Sequence, residues 1–214
     1  MTHATKIPSM LPDSIQAYMT ELAAKWTGQG SVVECGAWLG ATTAALCDGL
    51  VSAGYDRKIH VYDRWEANGA ECGKAGRQGV PIEDGQNTLG VLMELLGDHA
   101  RMVSPHRGRI ERAQWSAVEP IELFVLDACK YEAVFMPTIM TFAKAWIPGV
   151  TTVAFMDHHF YQRYDVGSAE HDRYSIHARW LEAHAESFSV VRDFAPDEPM
   201  ILRYVKPIDW GVTV

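Results

Sequence analysis

The stretch Ser31-Val-Val-Glu-Cys-Gly-Ala-Trp-Leu-Gly-Ala-Thr-Thr43 constrains the fold of this chain more than any other. Val32 and Val33 suit a buried parallel strand, and Gly36 and Gly40 suit a tight turn that brings backbone close to a partner. Thr42 and Thr43 then open a helix. A strand, a glycine turn and a helix in this order is how an open α/β sheet makes a nucleotide pocket outside the carboxyl ends of its strands. Glu34, placed just before the glycines, narrows the choice of ligand. Its carboxylate would repel a pyrophosphate, whereas a cationic or hydroxyl-rich ligand without phosphates would tolerate it.

The rest of the chain reads as strands alternating with helices. A helix starts at Asp13 or Ser14 and runs to Lys25, and a second spans 42–52. Strands are expected at 31–34, 58–63, 101–104, 121–127 and 151–157. Further helices are expected at 88–96, 136–146 and 172–187, while 65–85 reads as an irregular loop with a partial helix. Two last strands, 188–194 and 200–206, are joined by five residues, which makes them antiparallel neighbours. With 214 residues, 48% hydrophobic and 21% charged, the chain suits one soluble domain over 1–214. Within it, 1–30 is an N-terminal helical segment and 31–206 an α/β core.

A net charge of −8 argues against nonspecific binding to nucleic acid or to an anionic membrane, and favours a small-molecule partner. Cys35, Cys47, Cys72 and Cys129 form no Cys-x-x-Cys pair, so neither a disulfide framework nor a zinc knuckle is expected. With no signal peptide and no apolar run of membrane-spanning length, the expected location is the cytoplasm.

Four of the strands end on an acid: Glu34, Asp63, Asp127 and Asp157. Carboxylates at the ligand edge of a sheet need cations or hydroxyls around them, unless each simply caps a turn. Asp63 stands where a carboxylate accepts ribose hydroxyls in nucleoside-binding α/β folds. Asp127 and Asp157, with His158 and His159 beside the latter, could share Mg²⁺ or Mn²⁺, or the histidines could simply be solvated loop residues. Lys130, three residues beyond Asp127, is either a base acting on a metal-bound hydroxyl or an exposed turn residue.

Together these positions resemble the class I S-adenosylmethionine-dependent methyltransferases, and among them the metal-dependent O-methyltransferases. Glu34, Gly36, Gly40 and Thr42 fall on the cofactor motif shared by catechol, caffeoyl-CoA and macrocin O-methyltransferases, and Trp38 stands where that family has a bulky residue. Asp127-Ala-Cys-Lys130-Tyr131 resembles the Asp-x-x-Lys-x-Tyr pattern of the catechol and caffeoyl-CoA enzymes. Asp157-His158 aligns with an Asp-Asn or Asp-Asp pair, a departure at its second position. Asp127 and the Tyr131-Glu132 pair also match the macrocin-type pattern, whose second Asp is missing here.

The resemblance implies a Rossmann-like fold with a mixed seven-stranded sheet of order 3-2-1-4-5-7-6 and an antiparallel C-terminal hairpin. It implies S-adenosylmethionine held by Glu34, Gly36, Trp38, Gly40, Thr42, Asp63, Arg64, Gly108 and Asp127. It implies a divalent ion, Mg²⁺ or Mn²⁺, on Asp127, Asp157 and His158, with Lys130 or Asp127 receiving the proton of a hydroxylated small-molecule acceptor. Trp38, Trp65, Tyr131 and Phe160 are candidates to line the pocket, and His171 and His177 to touch substrate. Two alternatives stay open: a metal-independent methyltransferase with a histidine base, and a non-catalytic S-adenosylmethionine-binding protein. The oligomeric state is equally open, a homo-oligomer included.

Overall fold

The apolar run of the central motif becomes strand β1 (Ser31–Cys35), and the threonines lie in the first turn of helix α2 (Ala41–Ser52). The computed structural model describes residues 7–196 and 199–211. Ahead of β1 lies α1 (Asp13–Ala24). After α2 come β2 (Ile59–Asp63), α3 (Gly69–Arg77), α4 (Leu89–Leu96), β3 (Val103–Arg107) and β4 (Ile121–Leu126). Then follow α5 (Glu132–Phe142), β5 (Thr152–Phe155), α6 (Ala169–Tyr174), α7 (Ile176–Ala183), β6 (Phe188–Asp193) and β7 (Met200–Tyr204).

The described strands form a seven-stranded sheet in the order β3-β2-β1-β4-β5-β7-β6, as the resemblance implies. β1 pairs with β4, β4 with β5, and β2 with β3, all parallel. β7 runs antiparallel to both β5 and β6, and to β6 because the connection between them is too short for a crossover. Part of that connection (197–198) and most of the polar leader (1–6) lie outside the described residues.

The chain groups into two compact units, one of residues up to 27 with 36–109, the other of 28–35 with everything from 110 onward. In the first unit α1 buries Ile15, Met19 and Ala23. Gly49 of α2 permits close contact with α1: a Cβ there would stand 2.3 Å from the Thr20 carbonyl oxygen and 2.7 Å from the Ala23 Cβ. In the second unit β4 is buried along its whole length, which is why it reads as a continuous apolar run. Its one charged residue, Glu122, accepts the N–H groups of Gln29 at 2.8 Å and Gly30 at 3.3 Å. Phe135, Phe155, His177 and Trp180 form a ring cluster in that core.

Several boundaries differ from the sequence expectation. β1 extends one residue past Glu34, and β3 covers 103–107 rather than 101–104. α5 begins four residues earlier and runs through Pro137, ending at Phe142 with a short 3-10 turn behind it. The expected helix at 172–187 is two helices that meet at Ser175, which ends α6 and precedes α7. The loop 65–85 holds α3, started by a reciprocal capping box between Asn68 and Glu71.

Candidate functional site

In the first unit the glycine turn is fastened by the acid at the end of β2. Asp63 Oδ2 accepts the N–H of Ala37 at 2.9 Å and of Trp38 at 3.3 Å, and Oδ1 accepts the N–H of Trp65 at 2.9 Å. Hydrogen bonds to a charged acceptor each contribute about 1.5–3 kcal/mol. They hold an unusual backbone, with φ of 91° at Gly36, 48° at Trp38, 90° at Gly40 and 54° at Trp65. A left-handed conformation costs a residue with a Cβ about 1–2 kcal/mol, so two tryptophans there need bracing. Gly40 has the same φ requirement and little room, since a Cβ would lie 3.1 Å from the Leu92 side chain. Thr42, just after it, is buried in α2. Asp63 therefore shapes the turn, and a carboxylate's four or so lone-pair sites leave it some capacity for a hydroxyl as well.

Two further residues expected near the cofactor have partners in this unit. Arg64 Nη2 donates to both oxygens of Glu71, at 2.8 and 2.9 Å, and so is tied to the first turn of α3. Gly108 adopts φ 146° and donates its N–H to the Asp63 carbonyl oxygen at 3.0 Å. Trp65 is fully buried, which makes it core rather than an open pocket wall.

In the second unit Glu34 is fully buried within β1. Asp127 follows β4 directly, and its N–H donates to the Cys35 carbonyl oxygen at 2.8 Å. Asp157 lies in the turn after β5, and its Oδ1 accepts a hydrogen bond from the Lys130 ammonium. The Asp157 side chain is 5% exposed and that of Lys130 34%. The Lys130 Nζ also stands 4.7 Å from the centre of the Phe160 ring. Asp157 Oδ2 and His158 Nδ1 are both buried without a hydrogen-bond partner among the described residues.

Burial lowers the His158 pKa to about 4, so that imidazole is neutral. His159 Nε2 donates to Asp193 Oδ1 at 2.7 Å, and the Gln162 amide donates to His159 Nδ1 at 3.0 Å. His177, expected to touch substrate, is instead in the core. Its Nε2 donates to the Cys129 carbonyl oxygen at 2.6 Å, and burial lowers its pKa. Burial also pushes the Cys129 thiol up to about 12, which rules it out as a thiolate nucleophile. His171 packs against the Tyr161 ring, and its N–H is capped by Ser168 at 3.1 Å.

The ligand set expected for a divalent ion is not assembled. Among the described residues no group of three or more His, Cys, Asp or Glu side chains is arranged to hold a metal. Asp157 pairs with the Lys130 ammonium. Around Lys130 the structure gathers rings that sequence reading named only in part. Besides Tyr131 and Phe160, Tyr164 and Tyr174 belong to the cluster, with Tyr174 5.0 Å from each of Phe160 and Tyr164 and 5.5 Å from Tyr131. The Tyr131 phenol pKa is raised, chiefly by its hydrogen bond with Tyr174.

No family model matches the chain, and no curated protein matches it in sequence. Solved structures do match it in fold. The O-methyltransferase NovP aligns with a TM-score of 0.65 at 12% identity, over 93% of this chain and 83% of that one. CalS11, a TDP-rhamnose 3′-O-methyltransferase of calicheamicin biosynthesis, aligns at 0.55 and 14% identity, over 93% and 79%. The Streptomyces achromogenes O-methyltransferase TomG, in complex with S-adenosylmethionine, aligns at 0.54 and 14% identity, over 92% and 82%. The chain has the Rossmann-like class I methyltransferase fold.

Proposed function

We propose that the chain transfers the methyl group of S-adenosylmethionine to a hydroxyl of a small molecule. The carrying observation is the glycine turn of the first unit, three of whose residues, Gly36, Trp38 and Gly40, have positive φ, fastened by Asp63 on a fold shared with O-methyltransferases. Strained backbone persists where surrounding structure over-determines it, and such sites cluster at ligand clamps. The buried Glu34 and the absence of a dinucleotide glycine spacing favour a phosphate-free ligand here.

S-adenosylmethionine, when bound, supplies an electrophilic methyl on a sulfonium. The chain's part is to position that donor against an acceptor oxygen, and orientation alone can lower such a barrier by about 7–11 kcal/mol. Asp63 and the glycine turn of the first unit are the candidates to hold the donor, and Lys130, Asp157 and the tyrosines of the second are the candidates to receive the acceptor. A divalent ion on Asp127, Asp157 and His158 would act as a Lewis acid on the acceptor hydroxyl. The residues as placed do not fit it, because one oxygen of Asp157 is engaged by Lys130, so no step here runs through an ion. A histidine base is the second reading, favoured by the buried, neutral His158 with its unpartnered Nδ1.

The test is release of S-adenosylhomocysteine from S-adenosylmethionine in the presence of catechols and of nucleotide-linked sugars, with and without a chelator. Release with at least one acceptor class, undiminished by the chelator, is expected. Binding of S-adenosylmethionine without release for any hydroxylated acceptor would reduce the chain to a binding protein.

A further inference from the structure

We propose that the Lys130 ammonium is itself the resident cation of the acceptor end, standing in for a divalent ion and receiving the acceptor's oxygen directly. The inference rests on the methyltransferase reading above and starts from its disagreement with the metal. A nearly buried carboxylate needs a cation, and Asp157 obtains one from within the chain. Lys130 is well placed for this because the segment leading into it is fixed at two points. The Asp127 N–H is bonded to the Cys35 carbonyl oxygen at 2.8 Å, and the Cys129 carbonyl oxygen takes the buried His177 Nε2–H at 2.6 Å. The Phe160 ring lies beneath the ammonium, and a third of the Lys130 side chain is exposed, so an acceptor can approach it.

The consequence is electrostatic. A pre-positioned ammonium stabilises oxygen charge where a bound ion would, while the hydroxyl proton, which an ammonium cannot take, passes to Asp127 as the O–C bond forms and the sulfonium C–S bond breaks to leave S-adenosylhomocysteine. With Asp157 as its counter-charge the pair is neutral overall, and a further dication beside it would meet the ammonium's repulsion. The ring cluster of Tyr131, Phe160, Tyr164 and Tyr174 then walls the approach to Nζ.

Mn²⁺ is the probe. With S-adenosylhomocysteine present, the paramagnetic resonance of millimolar Mn²⁺ is expected to remain that of the free ion in wild-type protein and in Asp157→Asn alike. One bound Mn²⁺ in the wild type, lost in Asp157→Asn, would overturn the proposal. Thermal melts give a second, metal-free readout. Lys130→Met should lower Tm by about 5 °C by leaving Asp157 unpaired, and adding Asp157→Asn should recover most of that loss. Additive effects of the two changes would show that Lys130 is not the cation of Asp157.

In turnover, Lys130→Arg keeps the charge but cannot serve as a base. It should stay within about tenfold of wild type, while Lys130→Met falls by about a hundredfold or more. Equal loss in both would make Lys130 the base instead. If no acceptor supports turnover, the methyltransferase reading fails, while the Mn²⁺ and melting results still decide this one.

Discussion

Asp63 and Asp157 look alike in the sequence, each an acid at the end of an apolar strand, and the structure puts them to opposite uses. Asp63 binds backbone: among the described residues its carboxylate gathers three N–H groups, and it sets the shape of the glycine turn. Asp157 binds a side chain: it holds one ammonium in a nearly buried place, and its second oxygen has no partner among the described residues. The first acid makes geometry and the second fixes a charge. A strand-end acid therefore does not announce its role by position, only that something positive must meet it.

The largest effect should come from breaking the first arrangement. Asp63→Ala leaves the N–H groups of Ala37, Trp38 and Trp65 without their acceptor and should cost about 3 kcal/mol in urea unfolding. Asp63→Asn, which retains one acceptor oxygen, should cost about half as much; equal costs would mean that the charge, not the geometry, is what matters.

The second arrangement is sharpened at one remove by His177, which anchors the Lys130 segment without reaching it. His177→Phe removes the bond to Cys129 and should cost about 1–2 kcal/mol and roughly tenfold in turnover. His177→Gln can still donate to that carbonyl and should recover most of the turnover. Failure of the glutamine to recover would indicate that ring packing, not the hydrogen bond, positions the segment.

Stability should also depend on pH in a definite direction. His177 and His158 have folded pKa values below their ordinary 6.5, so below pH 6.5 the unfolded chain takes up protons that the native state refuses. Stability is whole above pH 6.5 and falls as the pH drops, for His158 until about pH 4, with a slope approaching 1.4 kcal/mol per pH unit for each group. Urea unfolding at pH 7 and pH 5 checks this, and His177→Gln should lose one group's share of the slope. The smallest effect should belong to Arg64→Ala. Its pair with Glu71 is half exposed, and its loss should change stability by no more than about 0.5 kcal/mol and leave cofactor affinity alone.

Much of the sheet was legible in the sequence because its signals are local. β4 is apolar but for Glu122, and the short connection before β7 allows only an antiparallel return to β6. Helix α3 was legible in principle, since Asn68-x-x-Glu71 is a capping pattern, but its glycines and charges mask it. His177 carried a usable signal too: Ile176, His177 and Trp180 share the buried face of α7 at helical spacing, which marks the histidine as core. The partners of Asp63, Arg64 and Asp157 were not legible, because each pairing is set by how separate segments fold together. Residue type shows that a carboxylate needs a donor; only tertiary structure chooses between three amides and an ammonium.

The most direct measurement is a calorimetric titration of S-adenosylhomocysteine into wild type, Asp63→Asn and Asp157→Asn. Division of labour between the two acids predicts one micromolar site in the wild type. It predicts binding about tenfold weaker in Asp63→Asn, a loss of about 1.4 kcal/mol, and nearly unchanged in Asp157→Asn. No binding by folded wild type, or a greater loss in Asp157→Asn than in Asp63→Asn, would contradict it.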